Sequence, residues 1–144
     1  MIYERSAGIL IFRQMDEARE YLILHYPGGH FDFPKGHMEK DESERETAMR
    51  ELMEETGIDK ITWIEGYREK IHYDYRRGEN MMSKDVIFFL ARTRQKKITI
   101  SFEHKGFSWL PFKEAVDKLT FSSAKELLKK AEKFLKRGEA AQAP

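Results

Sequence analysis

GHMEKDESERETAMRELMEETGI, residues 36–58, begins on a glycine, ends on a glycine and an isoleucine, and is dense in carboxylates between them. Stepped at about 100° per residue, Ala48, Met49, Leu52, Met53 and Thr56 fall on one side of a helix. Glu44, Glu51, Glu54 and Glu55 fall on roughly the opposite side. The helix is expected to start at Asp41 or Ser43, to run to Thr56, and to take Gly57 as its C-terminal cap. Glu51 stands three residues from Glu54 and four from Glu55, spacings at which like charges destabilise a helix by about a few tenths of a kcal/mol per pair. A merely solvated face would alternate its signs, yet no lysine falls between Glu42 and Gly57. Such a patch becomes favourable once a hard divalent cation sits on it.

Composition bounds the rest. A chain of 144 residues suits one domain with a real core. Its 26 Lys+Arg stand against 25 Asp+Glu, a net charge of +1, which gives no case for a stable nucleic-acid partner. There are no cysteines, hence no disulfide and no thiolate metal site. The opening MIYERSAGILIF lacks the basic segment and long apolar run of a signal peptide. No apolar run approaches the ~20 residues of a membrane span. A soluble, cytoplasmic protein is expected; the oligomeric state is left open.

Working outward from the helix, residues 6–13 and 21–26 read as strands joined by a polar hairpin loop, and 31–33 as a short edge strand stopped by Pro34. Residues 61–75 and 85–93 read as an antiparallel pair with 76–84 as the connecting loop. Ile98–Phe102 and Phe107–Leu110 read as further strands. Pro111 ends the last and opens a short helix, and a longer amphipathic helix covers about 122–136. One domain over residues 1–137 and a flexible tail over 138–144 are expected. Strands, a helix, strands, then helices make an α/β (α+β) sandwich around a mixed sheet.

The stretch at 36–58 resembles the Nudix box, G-x5-E-x7-R-E-U-x-E-E-x-G-U with U aliphatic. Gly36, Glu42, Arg50, Glu51, Leu52, Glu54, Glu55, Gly57 and Ile58 meet every fixed position. The resemblance implies an α-β-α sandwich and a hydrolase of nucleoside diphosphates linked to another group. It implies Mg²⁺, or Mn²⁺, held by Glu51, Glu54 and Glu55 with the Gly36 carbonyl nearby. Arg50 would orient a glutamate, and Glu42 would tie the loop to the helix. Glu54 is the first candidate for the general base and Glu103 the second.

The flanks narrow the subfamily. Residues 31–37, FDFPKGH, are similar to the W-x-x-P-K-G-H entry to the box in asymmetrical diadenosine tetraphosphate hydrolases, with Phe31 in the place of tryptophan. Residues 103–110, EHKGFSWL, resemble that subfamily's E-H-x-x-Y/F-x-W-L, where the glutamate joins the metal site. By the same resemblance Lys35 and Lys84 would contact phosphate, and Tyr75 and Phe121 would stack adenine. Alternation puts Tyr73 on the face of Tyr75, so which of them reaches the cleft stays open. His30 and His37 flank the phosphate loop and could donate to phosphate; His72 and His104 carry no assigned role. The implied reaction is cleavage of diadenosine tetraphosphate to ATP and AMP. Alternatives are a nucleotide-sanitising enzyme, an RNA 5′-pyrophosphohydrolase, a diphosphoinositol phosphate hydrolase, or a binding module that no longer cleaves. The intact box glutamates argue against the last.

Overall fold

Apolar residues follow one another without interruption in 9–12 (ILIF) and 86–91 (VIFFLA), the mark of strands buried on both faces. A computed structural model describes residues 1–101 and 103–142 and places these two strands side by side. They are β1 (Ile2–Met15) and β6 (Asn80–Thr93), parallel from Ile2–Met82 to Phe12–Arg92. Around them lie β2 (Ala18–His25), β3 (Phe31–Asp32), β4 (Lys35–His37), β5 (Ile61–Arg77) and β7 (Gly106–Pro111). The sheet runs β3-β2-β1-β6-β5, with β4 on β1 and β7 on β2, and every pairing except β1–β6 is antiparallel.

Alternation along β1 divides the core. Ala7, Ile9 and Ile11 pack with Ala48 and Leu52 of helix α1 (Glu44–Thr56). Leu10 and Phe12 pack on the other face with Ala115 of α2 (Phe112–Lys118) and with Leu127, Leu128 and Ala131 of α3 (Ser122–Gln142). The layers are therefore α-β-α around a mixed sheet, as expected. Among the described residues no helix is long and apolar enough to cross a membrane.

The structure departs from the sequence reading at four places. Ile98–Ser101 is not a strand. Thr99 N–H and Ser101 N–H donate to the carbonyls of Thr56 and Glu55, so this segment closes the C-terminal end of α1 instead of joining the sheet. Phe102 lies outside the described residues. The expected loop 76–84 is a tight turn at Gly78 and Glu79, because Arg77 already pairs with Asn80 and Gly78 takes φ +60°. The loop between β1 and β2 likewise shrinks to residues 16 and 17. Finally, α3 runs on to Gln142 through the stretch read as a tail; its residues 143 and 144 lie outside the described ones. One helical glycine, Gly138, costs only about 1 kcal/mol. Arg19 pairs with Glu139 one residue beyond it, and Ala140 and Ala141 are strong helix formers.

Candidate active site

Helix α1 is fixed at both ends by its own sequence. Ser43 Oγ accepts from Glu46 N–H at 3.1 Å while the Glu46 carboxylate accepts from Ser43 N–H at 2.8 Å, a complete capping box. Gly57, at φ +74°, turns the chain out of the helix and donates to Met53 O. The helix lies rotated from the expected placement. Met53, read as inward, is 56% exposed, whereas Glu55, read as outward, is only 7% exposed.

That rotation brings Glu55 into a polar corner. Its Oε1 accepts from Lys35 N–H at 3.0 Å, and the Tyr26 hydroxyl, which donates to Phe33 O at 2.7 Å, stands 3.3 Å from Oε2. His104 Nε2 comes within 2.9 Å of Oε2 but off the line of a hydrogen bond. Burial pushes the Glu55 carboxyl up to about 8, the neighbouring Glu51 adds to the shift, and the Lys35 amide opposes it. Glu51 is raised as well, by burial first, with Arg50 holding it back. Burial pushes the His104 imidazole down, toward its neutral form.

Arg50 organises the loop above the helix. Its Nε and Nη2 donate to both oxygens of Glu42, at 2.6 and 3.0 Å, and Nη2 also donates to His37 O at 2.8 Å. Its Nη1 donates to Glu51 at 2.9 Å and reaches Glu54 at 3.3 Å. Glu42 also accepts from Glu39 N–H and Thr47 Oγ1, and these bonds, Arg50's first, hold its carboxyl down at about 2. Glu42 and Arg50 thus tie loop to helix. Gly36, on β4 opposite Ala7, lies so close to Glu51 that a methyl group there would collide with the carboxylate.

Glu51, Glu54, Glu55 and Glu103 line one cavity of about 380 Å³ with Tyr26, Lys35 and His104. Among the described residues no three acidic or histidine side chains converge on one point closely enough to hold an ion. Like charge keeps the carboxylates apart, and Arg50 draws Glu51 aside. The donor set nonetheless fits a hard divalent cation: carboxylates on one helix, those of Glu51 and Glu55 raised by burial, with the Gly36 backbone packed against Glu51. A cation would remove the cost that raises Glu51 and Glu55.

Lys35 continues into a second cleft of about 520 Å³, whose lining includes His30, Asp32, Tyr73 and Phe121. Its ammonium sits 5.5 Å from the centre of the Tyr26 ring. Lys84 is half-buried nearby, and burial, then repulsion from Lys35, pushes its ammonium down. His37 is pushed down by burial first and by Lys84 next. Phe121 is 47% exposed and stands 5.5 Å from the His30 ring. Of the two tyrosines left open, Tyr73 lines this cleft. Tyr75 does not: its hydroxyl donates to Glu4 and accepts from Arg77 Nη2 at 2.7 Å.

The structure thus brings together Glu51, Glu54, Glu55 and Glu103 around one cavity, with Gly36 and Arg50 against Glu51, and sets Lys35 and Phe121 on the next, with Lys84 near Lys35. It sets Tyr75 apart, and His37, 3.7 Å from Glu4 Oε2, lines neither cavity. Tyr26, His104 and Asp32 line these cavities without a role assigned from the sequence, while Tyr73 had been left open against Tyr75. Tyr26 had no signal in the sequence, whereas His104 occupies the histidine of the E-H-x-x-Y/F-x-W-L stretch.

The family described as the NUDIX domain matches residues 2–131. The mouse bis(5′-nucleosyl)-tetraphosphatase [asymmetrical] is 36% identical over 143 residues, spanning 91% of this chain and 95% of that one. An RNA pyrophosphohydrolase of Nitratiruptor sp. is 31% identical over 117 residues, 75% of this chain and 76% of that protein. Among solved structures, a binary complex of the C. elegans Ap4A hydrolase superposes with a TM-score of 0.82 at 31% identity, covering 92% of this chain and 97% of that one. Sequence, fold and site geometry agree: the chain belongs to the Nudix family and is a Nudix hydrolase.

Proposed function

We propose that the protein hydrolyses dinucleoside polyphosphates, diadenosine tetraphosphate first among them, to ATP and AMP, as a cytoplasmic enzyme whose catalytic unit is residues 1–137. The observation that carries this is the single residue Lys35, shared by a carboxylate-lined cavity and an aromatic cleft. A phosphate chain in the first and a nucleoside in the second would meet at it. The similarity to the mouse tetraphosphatase and the C. elegans Ap4A hydrolase supports the same substrate class.

Glu51, Glu54, Glu55 and Glu103, with the Gly36 carbonyl, would hold Mg²⁺, with Mn²⁺ as the alternative. When bound, the ion neutralises phosphate charge and acidifies an attacking water. The chain's own groups do the rest. Arg50 fixes Glu51 and steadies Glu54. Glu54, more exposed than Glu51 and Glu55, takes the proton from water as its oxygen attacks phosphorus, with Glu103 as the alternative base. The bridging P–O bond breaks, AMP keeps the water's oxygen, and ATP leaves with the bridging one. Lys35 and Lys84 balance charge on the departing polyphosphate. Phe121 and Tyr73 give the base a stacking surface.

The test is product analysis by anion exchange after incubation with diadenosine tetraphosphate, 8-oxo-dGTP, 5′-triphosphorylated RNA or a diphosphoinositol phosphate, with and without Mg²⁺. Equal ATP and AMP, formed fastest and only with the ion, is the expected result. Faster cleavage of another substrate would overturn the substrate assignment.

A further inference from the structure

Base edges differ in what they donate and accept, and among the polar groups lining the aromatic cleft one is a carboxylate, which reads that difference by accepting. Asp32, on the edge strand β3, is 6% exposed and lines the cleft with Tyr73 and Phe121. Its Oδ1 accepts from Phe33 N–H at 2.8 Å; among the described residues no donor takes Oδ2. No described cation lies within ion-pair distance of it either; burial pushes its carboxyl up, and Lys35 first, with Lys84 more weakly, draws it back toward the charged form. A carboxylate has only acceptors to offer. An aspartate that merely capped its own backbone would not need to face a cleft, and Tyr73 and Phe121 by themselves would bind any base, because every base has a π-face.

The geometry points to Asp32 as the specificity-determining residue of this cleft, selecting bases that present an N–H donor: the 6-amino group of adenine, or N1–H and the 2-amino group of guanine. The inference rests on the nucleotide reading given above and adds the edge by which the base is chosen. A buried acceptor left without a donor loses its hydrogen bonds to water, so a base lacking the donor is rejected by more than the missing contact alone.

The test is direct binding by calorimetry without divalent ion, so that no turnover is required, using ATP, GTP and purine riboside 5′-triphosphate. The last differs from ATP only in lacking the amino group. Wild-type protein is expected to bind ATP at least about tenfold more tightly than purine riboside triphosphate, a difference of about 1.4 kcal/mol. Asp32→Val should bring the two within about twofold by removing the acceptor. Asp32→Asn, which retains an acceptor and adds a donor, should keep the preference for ATP and weaken GTP. Thermal unfolding of each variant separates a lost fold from a lost reader.

Equal discrimination in wild type and a folded Asp32→Val would leave Asp32 a structural residue and overturn the inference. Wild type binding ATP and purine riboside triphosphate equally would do the same, while Mg²⁺-dependent production of ATP and AMP would keep the reaction assignment standing. Wild type binding none of the three would remove the cleft as a base site. No diadenosine tetraphosphate cleavage alongside intact base discrimination would instead sink the reaction and spare Asp32.

Discussion

Two glutamates are buried almost equally, Glu55 at 7% exposure and Glu132 at 9%, and they live in opposite circumstances. Glu132, on α3, receives Arg19 Nη1 at 2.8 Å and the Tyr21 hydroxyl at 2.6 Å, with Lys136 3.9 Å away. Its charge is met by the protein itself. Glu55, on α1, receives one backbone amide and a longer contact from Tyr26, faces Glu51, and is pushed up to about 8. The first completes a structural joint between α3 and β2. The second is left uncompensated at the wall of a cavity, and a cation from outside would complete it. A buried acid that lacks its partner is the better marker of function.

The largest effect that would sharpen this contrast is on turnover. Glu54→Gln and Glu55→Gln should each lower kcat by several orders of magnitude. Glu55→Gln should at the same time raise Tm, since it removes a charge the fold disfavours. Steady-state kinetics and calorimetry on one preparation check both; a Glu55→Gln protein that melts well below wild type would end the comparison. Glu132→Gln should do the reverse, leaving kcat near wild type while costing on the order of 3–5 kcal/mol of stability, because Arg19 would remain buried and underpaired. Denaturant titration reads that loss.

A smaller effect is set by pH. The folded Glu55 holds its proton more tightly than the unfolded chain, whose ordinary value is 4.5. Stability present below about pH 4.5 is therefore lost as pH rises to about 8, and the slope ends there. A divalent ion competes with that proton, so its affinity should rise across the same window and level off above about pH 8. Calorimetric titration with Ca²⁺ in buffers of different ionisation enthalpy would show the proton release, and Glu55→Gln should remove the larger part of it, leaving the share of Glu51. Smallest of all, Ser43→Ala should cost about 1 kcal/mol by uncapping α1 without altering kcat, as thermal melts and initial rates would show.

The sequence made α1 legible in detail because its signals are local. Ser43, Glu46 and Gly57 act on backbone within one turn, and the glutamate spacing needs no tertiary knowledge. The carboxylate cavity followed from it. What stayed illegible depends on partners distant in the chain. Ile98–Ser101 has strand composition, but its amides go to the end of α1. Glu55 turned inward because Lys35 and Tyr26 wait there, which helical periodicity alone does not reveal. Tyr73 and Tyr75 share a face by alternation. Only the structure shows that Tyr75, two residues farther along β5, has passed the cleft and meets Glu4 of β1. Asp32 read only as part of a short edge strand, and its place in a cleft with Tyr73 and Phe121 depends on partners far along the chain.

The pairing of β1 with β6 bears on how the chain is made. Residues 9–12 leave the ribosome early, yet their parallel neighbours at 89–92 follow some eighty residues later. At roughly 5–20 residues per second, the edge of β1 that carries this apolar run waits for seconds, while β2 and β4 can pair only with the other edge. Both sheet faces, and with them the seats of α1 and α3, depend on that late arrival. The protein is thus expected to be most vulnerable to aggregation during its own synthesis, before the sheet that supports the active site has closed.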